Sequence, residues 1–343
     1  MTIRWGILGC GDVCELKSGP GFQKADGSEL VAVMRRDRRL AEDFAHRHGV
    51  ARAYDDADAL ITDPDVSAVY IASPPGSHLE LALKVAAAGK PAYVEKPMAR
   101  CHAECVRMVE AFERARLPLF VAYYRRALAR FLKAKDIVES GRLGQIRSVD
   151  VRFVNDGQSR LDPAKLPWRV QAEHAGGGLF LDLASHTLDV LDFLFGPLQS
   201  VTGEASNVAS PVAVEDRVTL RFTTARDRAR GSGFWSFSSS TKEDLISIEG
   251  SSGMLRLSTF GDTPVELDTS SGSERFELPN PPHIQQPLIQ TIVNSLLGQG
   301  SCASTGVSGA RTSDAMDRAL VSYYGTRGEG FWKHPERWPG RRV

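Results

Sequence analysis

Between residue 1 and about residue 122, short apolar runs alternate with longer amphipathic stretches, and no other feature restricts the fold of this chain as much. Ile3–Leu8, Leu30–Val33, Ala68–Ala72, Ala92–Val94 and Leu119–Ala122 read as strands of a parallel sheet. Arg38–His48, Pro75–Ala88 and His102–Ala115 carry apolar residues three and four apart, as helices covering that sheet should, and Gly49, Gly89 and Leu117-Pro118 mark their ends. The alternation predicts an α/β domain of βαβ type.

After Ala122 the texture changes. A helix over Leu128–Ser140, a strand over Ile146–Asn155 and a helix near Leu179–Phe195 are predicted. From Gln199 to about Leu278, runs such as 217–222 and 254–258 alternate apolar and polar residues with a period of two. These predict a C-terminal α+β domain built on a large open, mostly antiparallel sheet; closing helices over Ile284–Leu297 and Gly309–Tyr324 would pack on this domain or back on the first. At 343 residues the chain exceeds the ~250–300 that one core serves, so two domains are expected, 1–122 and 123–343. An open sheet face is expected to expose apolar surface, which a homodimer or homotetramer would cover.

Forty-two basic residues balance forty-two acidic ones, leaving no net field to attract nucleic acid or an anionic membrane. No stretch supplies the ~18 apolar residues of a membrane span, and the N-terminus enters a strand without a leader pattern, so a cytoplasmic location is expected. The five cysteines are odd in number, lack C-x-x-C spacing and read as reduced thiols. Cys101, His102 and Cys105 share one helical turn and read as packing residues, so no metal is expected.

The first strand runs into Gly9-Cys10-Gly11-Asp12-Val13-Cys14. Gly9 and Gly11 occupy the first two glycine positions of a dinucleotide fingerprint, one for a tight turn and one for close approach of a pyrophosphate to a helix start. Cys14 stands at the third position as a small residue. By itself a glycine turn after a strand has many explanations; opening a βαβ series, it predicts a Rossmann domain that binds a dinucleotide. The second strand ends at Arg35-Arg36-Asp37, where such folds meet the adenosine ribose. Arginine there suits the 2′-phosphate of NADP, and Asp37 leaves NAD open.

The strand at Ala92–Val94 leads into Glu95-Lys96-Pro97. A lysine at the carboxyl end of a parallel strand either pairs with Glu95 at the surface or points into the crevice where a nicotinamide would lie, able to stabilise charge on a substrate oxygen. With Gly9–Asp12, Ala72-Ser73-Pro74-Pro75-Gly76-Ser77-His78, Gly176-Gly177-Gly178 and Asp182 through His186, the chain resembles the glucose-fructose oxidoreductase, inositol dehydrogenase and rhizopine-catabolism family, Gfo/Idh/MocA, over nearly its whole length. The resemblance implies an NAD(P)-dependent dehydrogenase or reductase acting on CH-OH groups of a sugar, inositol or related polyol. It also implies a cofactor site formed by Gly9, Gly11, Asp12, Val13, Arg35, Arg36, Ser73, Pro74, His78, Glu95, Lys96, Trp168 and Arg169.

Asp182 and His186 lie four apart on a predicted helix and so share one face. Alone they fit a helix-dipole aspartate and a satisfied core histidine; the resemblance places them in the substrate site with Lys96. Histidine can take the hydroxyl proton as carbon loses hydride, and the carboxylate can orient it. Trp168 and Arg169 read as cofactor contacts or as core cover. Tyr123, Arg125 and His283 are further substrate candidates, with Tyr124 and Arg126 beside them, and Asp189 and Asp192 are weaker ones. The rival readings are a dihydrodiol dehydrogenase, an anhydrosugar reductase, and a non-catalytic sensor of NAD(P).

Overall fold

A computed structural model describes residues 1–328 and 330–341. Along the chain run β1 (Ile3–Leu8), α1 (Gly19–Lys24), β2 (Ser28–Met34), α2 (Arg38–His48), β3 (Arg52–Tyr54), α3 (Ala57–Thr62), β4 (Ala68–Ile71), α4 (His78–Ala87), β5 (Ala92–Val94), α5 (His102–Ala115) and β6 (Leu119–Val121). The six strands are parallel in the order β3-β2-β1-β4-β5-β6, the doubly wound arrangement of a Rossmann domain. The order reverses between β1 and β4, so the crevice at their carboxyl ends is where such a sheet takes ligands. β4, β5 and β6 are buried throughout, which explains why they read as unbroken apolar runs.

β3 and α3 were not legible in advance. β3 has only three residues, all half-buried, and α3 only six, begun by an Asp56 cap on the Ala59 N–H. Neither is long enough to show a period.

The second part contains α6 (Ala129–Glu139), β7 (Ile146–Val154), α7 (Ala172–Ala175), α8 (Ser185–Phe195), β8 (Gln199–Ser206), β9 (Arg217–Thr223), β10 (Arg230–Ser236), β11 (Glu243–Gly250), β12 (Gly253–Leu257), β13 (Val265–Thr269) and β14 (Gly272–Phe276); α9 (Gln286–Leu296) and α10 (Gly306–Tyr324) follow. Eight strands form one sheet in the order β14-β13-β12-β11-β7-β10-β9-β8, antiparallel except for the β10–β7 pair. Every residue of α8 is buried. Gly231 and Gly233 leave their space to the rings of Phe222 and Trp235, since a Cβ there would lie 2.1 and 2.3 Å from them. Among the described residues, no helix is long and apolar enough to cross a membrane.

The chain forms two compact units: residues 1–99, 104–128 and 281–310, and residues 100–103, 129–280 and 311–343. Segment 281–310, with α9, thus packs back in the first unit, while most of α10 belongs to the second. Tyr93 donates to Gln285 (2.9 Å), Ser304 donates to the Val121 carbonyl (2.7 Å), and Thr305 bridges Phe120 on the edge strand β6. A bare sheet edge is a liability, and this segment covers it.

The expected apolar open face is corrected. Arg217, Arg221, Arg230 and Arg147 are exposed on β9, β10 and β7, while Glu243, Glu249, Glu266 and Asp268 mark β11 and β13. Arg152 pairs with Glu243 and lies 4.9 Å from the Phe234 ring centroid, and Ser232 donates to Asp150 at 2.6 Å. Cross-strand ion pairs, rather than exposed hydrophobes, finish this face.

Candidate active site

The turn after β1 fits a pyrophosphate by its backbone alone. Gly9 has φ +89°, and a Cβ on it would sit 3.0 Å from the Ser73 nitrogen, so two constraints demand glycine. Its N–H and that of Cys10 both reach the Met34 carbonyl (2.9 and 3.2 Å), hooking the turn to the end of β2. At Gly11 the nearest atom to an added Cβ would be the Gly9 oxygen at 3.9 Å; open space lies beside it. The Cys14 N–H then closes on the Gly11 carbonyl at 2.8 Å, with Asp12 and Val13 opening the helix. Cys14–Ser18 is a π turn that passes directly into α1 at Gly19, where a Cβ would lie 2.2 Å from the Cys14 oxygen and only glycine fits. Cys14 is wholly buried, so its small side chain serves the contact usually left to a third glycine. An open glycine turn leading into a helix start is the cradle a dinucleotide needs.

At the end of β2 the chemistry is basic. Asp37 caps α2, its Oδ1 accepting the Arg39 and Leu40 N–H groups at 3.0 and 3.4 Å. Arg35 follows the last residue of β2 and is half-buried, whereas Arg36 is exposed. Burial pushes the Cys10 thiol up to about 11, and the nearest opposing influence is the positive charge of Arg35.

Ser73, Pro74 and His78 sit behind the glycine turn. His78 is fully buried, with Nε2 2.6 Å from the Ser73 carbonyl and Nδ1 3.1 Å from the Met98 carbonyl. Burial lowers its pKa while both carbonyls resist, so the ring acts as a tie between the loops after β4 and β5. Glu95 is buried and accepts from Tyr70 Oη (2.6 Å), Gln285 Nε2 (2.7 Å) and the Lys96 N–H (3.0 Å). Tyr70 and Tyr93 stack at 4.8 Å, and burial together with the Glu95 charge holds both hydroxyls protonated as donors. Glu95 therefore belongs to an interior network, and half-buried Lys96 stands at the carboxyl end of β5.

His283, His186 and the remaining candidates separate by unit. His283 Nδ1 donates to the Leu16 carbonyl at 2.9 Å, on the π turn of the glycine helix. Tyr123 lies in the apolar core of the first unit, and Arg125 is buried with its guanidinium 5.0 Å from the Tyr124 ring. Arg126 donates to the Ala303 carbonyl.

In the second unit, Asp182 and His186 are on one helical run, but not on one α-helix. Phe180–Ala184 is a π turn that passes into α8 at Ser185. Sequence gave no sign of the π turn, a distortion that collects at functional sites. Asp182 is half-buried and pairs with Arg169 at 3.5 Å, while the Arg169 guanidinium lies 4.6 Å from the Trp168 ring. His186 is buried, edge-on to Phe260 at 5.7 Å. The Phe260 loop is fixed by Asp244, which accepts the Thr259, Phe260 and Gly261 N–H groups. Asp192 makes a bidentate bridge to Arg311 (2.7 and 2.8 Å), and Asp189 accepts from Thr312, so both anchor α10.

Two family models match this architecture, an oxidoreductase family with an NAD-binding Rossmann fold over residues 3–123 and a GFO/IDH/MocA C-terminal domain over residues 131–256. Oxidoreductase P35 of Formosa agariphila is 35% identical over 320 residues, covering 92% of this chain and 97% of the relative. The chain belongs to the Gfo/Idh/MocA oxidoreductase family. A 1,5-anhydro-D-fructose reductase of Ensifer adhaerens is 27% identical over 312 residues, 89% of this chain and 92% of that protein. A crystal structure of an Agrobacterium radiobacter oxidoreductase with NAD+, L-tartaric acid and magnesium shares the fold, with TM-score 0.82, 24% identity and coverage of 94% and 96%. This family member is therefore an NAD-binding oxidoreductase.

Proposed function

We propose that this oxidoreductase transfers hydride reversibly between a nicotinamide and a carbinol or carbonyl carbon of a sugar, inositol or related polyol. The observation that carries the reading is the Arg169–Asp182 pair one turn before buried His186, on a helical run that follows three glycines. The anhydrofructose reductase among its relatives supports a cyclic polyhydroxylated substrate. Within this class, an anhydrosugar or a cyclic diol is the narrower alternative.

When bound, the nicotinamide supplies the acceptor or donor position for hydride. The glycine turn with Asp12 and Val13 would hold the pyrophosphate, with Ser73, Pro74 and His78 shaping the wall behind it. Trp168 and Arg169 are further candidates for cofactor contacts. Lys96 hydrogen-bonds the substrate oxygen and stabilises negative charge developing there. His186 removes the hydroxyl proton during oxidation and returns it during reduction, and Asp182 orients the imidazole or the substrate. With Asp37 spent on a helix cap, Arg35 and Arg36 favour the 2′-phosphate of NADP over NAD.

The basic strands β9, β10 and β7 and the acidic β11 and β13 complement each other under a two-fold axis, which suits a homodimer or homotetramer. Five unbridged cysteines suit the reducing cytoplasm. The test is a panel of sugars, inositols, anhydrosugars and cyclic diols assayed by nicotinamide absorbance with NADP+ and NAD+. Cofactor binding without turnover on any of them would refute the enzyme and mark a nucleotide sensor.

A further inference from the structure

The glycine triplet before Asp182 and His186 is gripped by buried polar side chains from distant parts of the chain. Glu215, in the loop between β8 and β9, accepts the Gly178 N–H on Oε2 at 2.9 Å, and Tyr324 donates to the same oxygen. Gln158 donates to the Glu215 carbonyl at 2.9 Å, and its own Oε1 accepts the Leu179 N–H at 3.4 Å. Arg327 donates to the Gly176 carbonyl at 3.0 Å and pairs with Asp317, which accepts the His102 N–H. Glu215 and Gln158 are wholly inaccessible, and Arg327 is nearly so. The fit explains the glycines: a Cβ on Gly178 would lie 2.4 Å from the Glu215 carbonyl oxygen, and one on Gly177 3.1 Å from the Tyr324 hydroxyl.

Gly178 and Leu179 stand at the front of a helical run, where N–H groups have no partner within the helix. A short local cap would satisfy them. Here the acceptor is instead a carboxylate 37 residues away, held in a fully buried place.

We propose that Glu215 is a positioning residue for the reaction proposed above, on which this inference rests: its ionised carboxylate fixes the start of the run from which Asp182 and His186 project. An ionised acceptor makes the bond to Gly178 charge-assisted and about twice as strong as a neutral one. Glu215 Oε1 has no hydrogen-bond partner among the described residues, so a proton added there finds no acceptor. Burial pushes this carboxyl up to about 7, against the Tyr324 hydroxyl, the Gly178 N–H and the Arg327 charge. Among the groups facing it are Tyr324, Tyr323, Arg327 and Asp216. Tyr324 and Tyr323 are raised by burial and by the Glu215 charge, Arg327 is held charged by Asp317, and Asp216 is spent on three backbone N–H groups and Ser238. Proton uptake by Glu215 therefore loosens the helix start, and turnover is favoured above neutral pH.

The experiment compares wild type, Glu215→Gln and Tyr324→Phe. It reads kcat and KM against pH, together with deuterium exchange of a peptide spanning residues 176–186, corrected for intrinsic rates. In wild type, kcat and protection of this peptide rise together near pH 7. Glu215→Gln is expected to lose that rise and to lower kcat roughly tenfold, the effect of one charge-assisted bond, with KM held. Tyr324→Phe removes a donor that favours the carboxylate, so its rise moves to higher pH. Glu215→Gln that keeps the wild-type profile, or Tyr324→Phe that does not shift it, overturns the proposal; so does an exchange response that kcat does not follow. Absence of turnover in wild type counts against the proposed reaction and not against the grip on Gly178, which the exchange data decide by themselves.

Discussion

Glu215 also makes a prediction about global unfolding, opposite in sign to the local release of Gly178: unfolding returns the carboxyl to water, whereas local release leaves it buried and takes away the N–H that favours its ionised form. Its carboxyl is raised from the ordinary 4.5 to about 7 in the folded chain, first by burial. Because the folded pKa lies above the unfolded one, the folded state holds the extra proton between these values. The resulting stability is complete below about pH 4.5 and is lost as pH rises through about 7. Between pH 5 and 8 the loss amounts to about 2.5 kcal/mol, which for a unit of this size is roughly 5–10 °C in Tm. Glu215→Gln cannot titrate, so the stability of wild type relative to the variant should fall by that amount between pH 5 and 8. Other titrating groups cancel in the difference. Urea unfolding followed by tryptophan fluorescence is suited to the measurement, because four of the five tryptophans lie in the unit that holds Glu215. A wild-type-minus-variant difference constant to within about 0.5 kcal/mol across this range would refute the reasoning.

Lys96→Ala and His186→Ala should each lower kcat by about 10²–10⁴-fold while the cofactor dissociation constant stays close to wild type; near-normal kcat in both would refute the assigned roles. Arg35→Asp should turn a preference for NADP+ into one for NAD+, read by fluorescence titration with both. Gly178→Ala should destabilise by about 1–3 kcal/mol in urea, since its Cβ would press on the Glu215 carbonyl at 2.4 Å. Arg221→Glu with Arg230→Glu should shift sedimentation toward monomer if the charge-divided open face joins two copies, and should leave it unchanged otherwise.

Much of the fold was legible because its signals are local. The limits of β1, β5, α2 and α5 coincide with apolar periodicity and end signals, and the glycine turn announced itself by residue type. The rest depended on distant partners. Glu95 read as a cofactor or surface group, yet Tyr70 and Gln285 draw it inside, and Gln285 comes from a segment 190 residues later. Glu215 carried no mark in sequence beyond an acidic pair before a strand. The π turn at Asp182, the Phe260 loop fixed by Asp244 and the charged open face were likewise invisible, since strand alternation reports which residues point outward and not what neighbouring strands set beside them.

By itself, then, the sequence determined most of the elements of the parallel sheet, the glycine cradle, the basic end of β2 and the four-residue spacing of Asp182 and His186. Each follows from backbone freedom, period or spacing within a few residues. Only the tertiary structure decided which carboxylates are spent on caps and networks, and that the run bearing Asp182 and His186 starts on Glu215. Burial and hydrogen-bond partners are properties of the packed chain, and they set the charge and direction of a side chain that its identity leaves open.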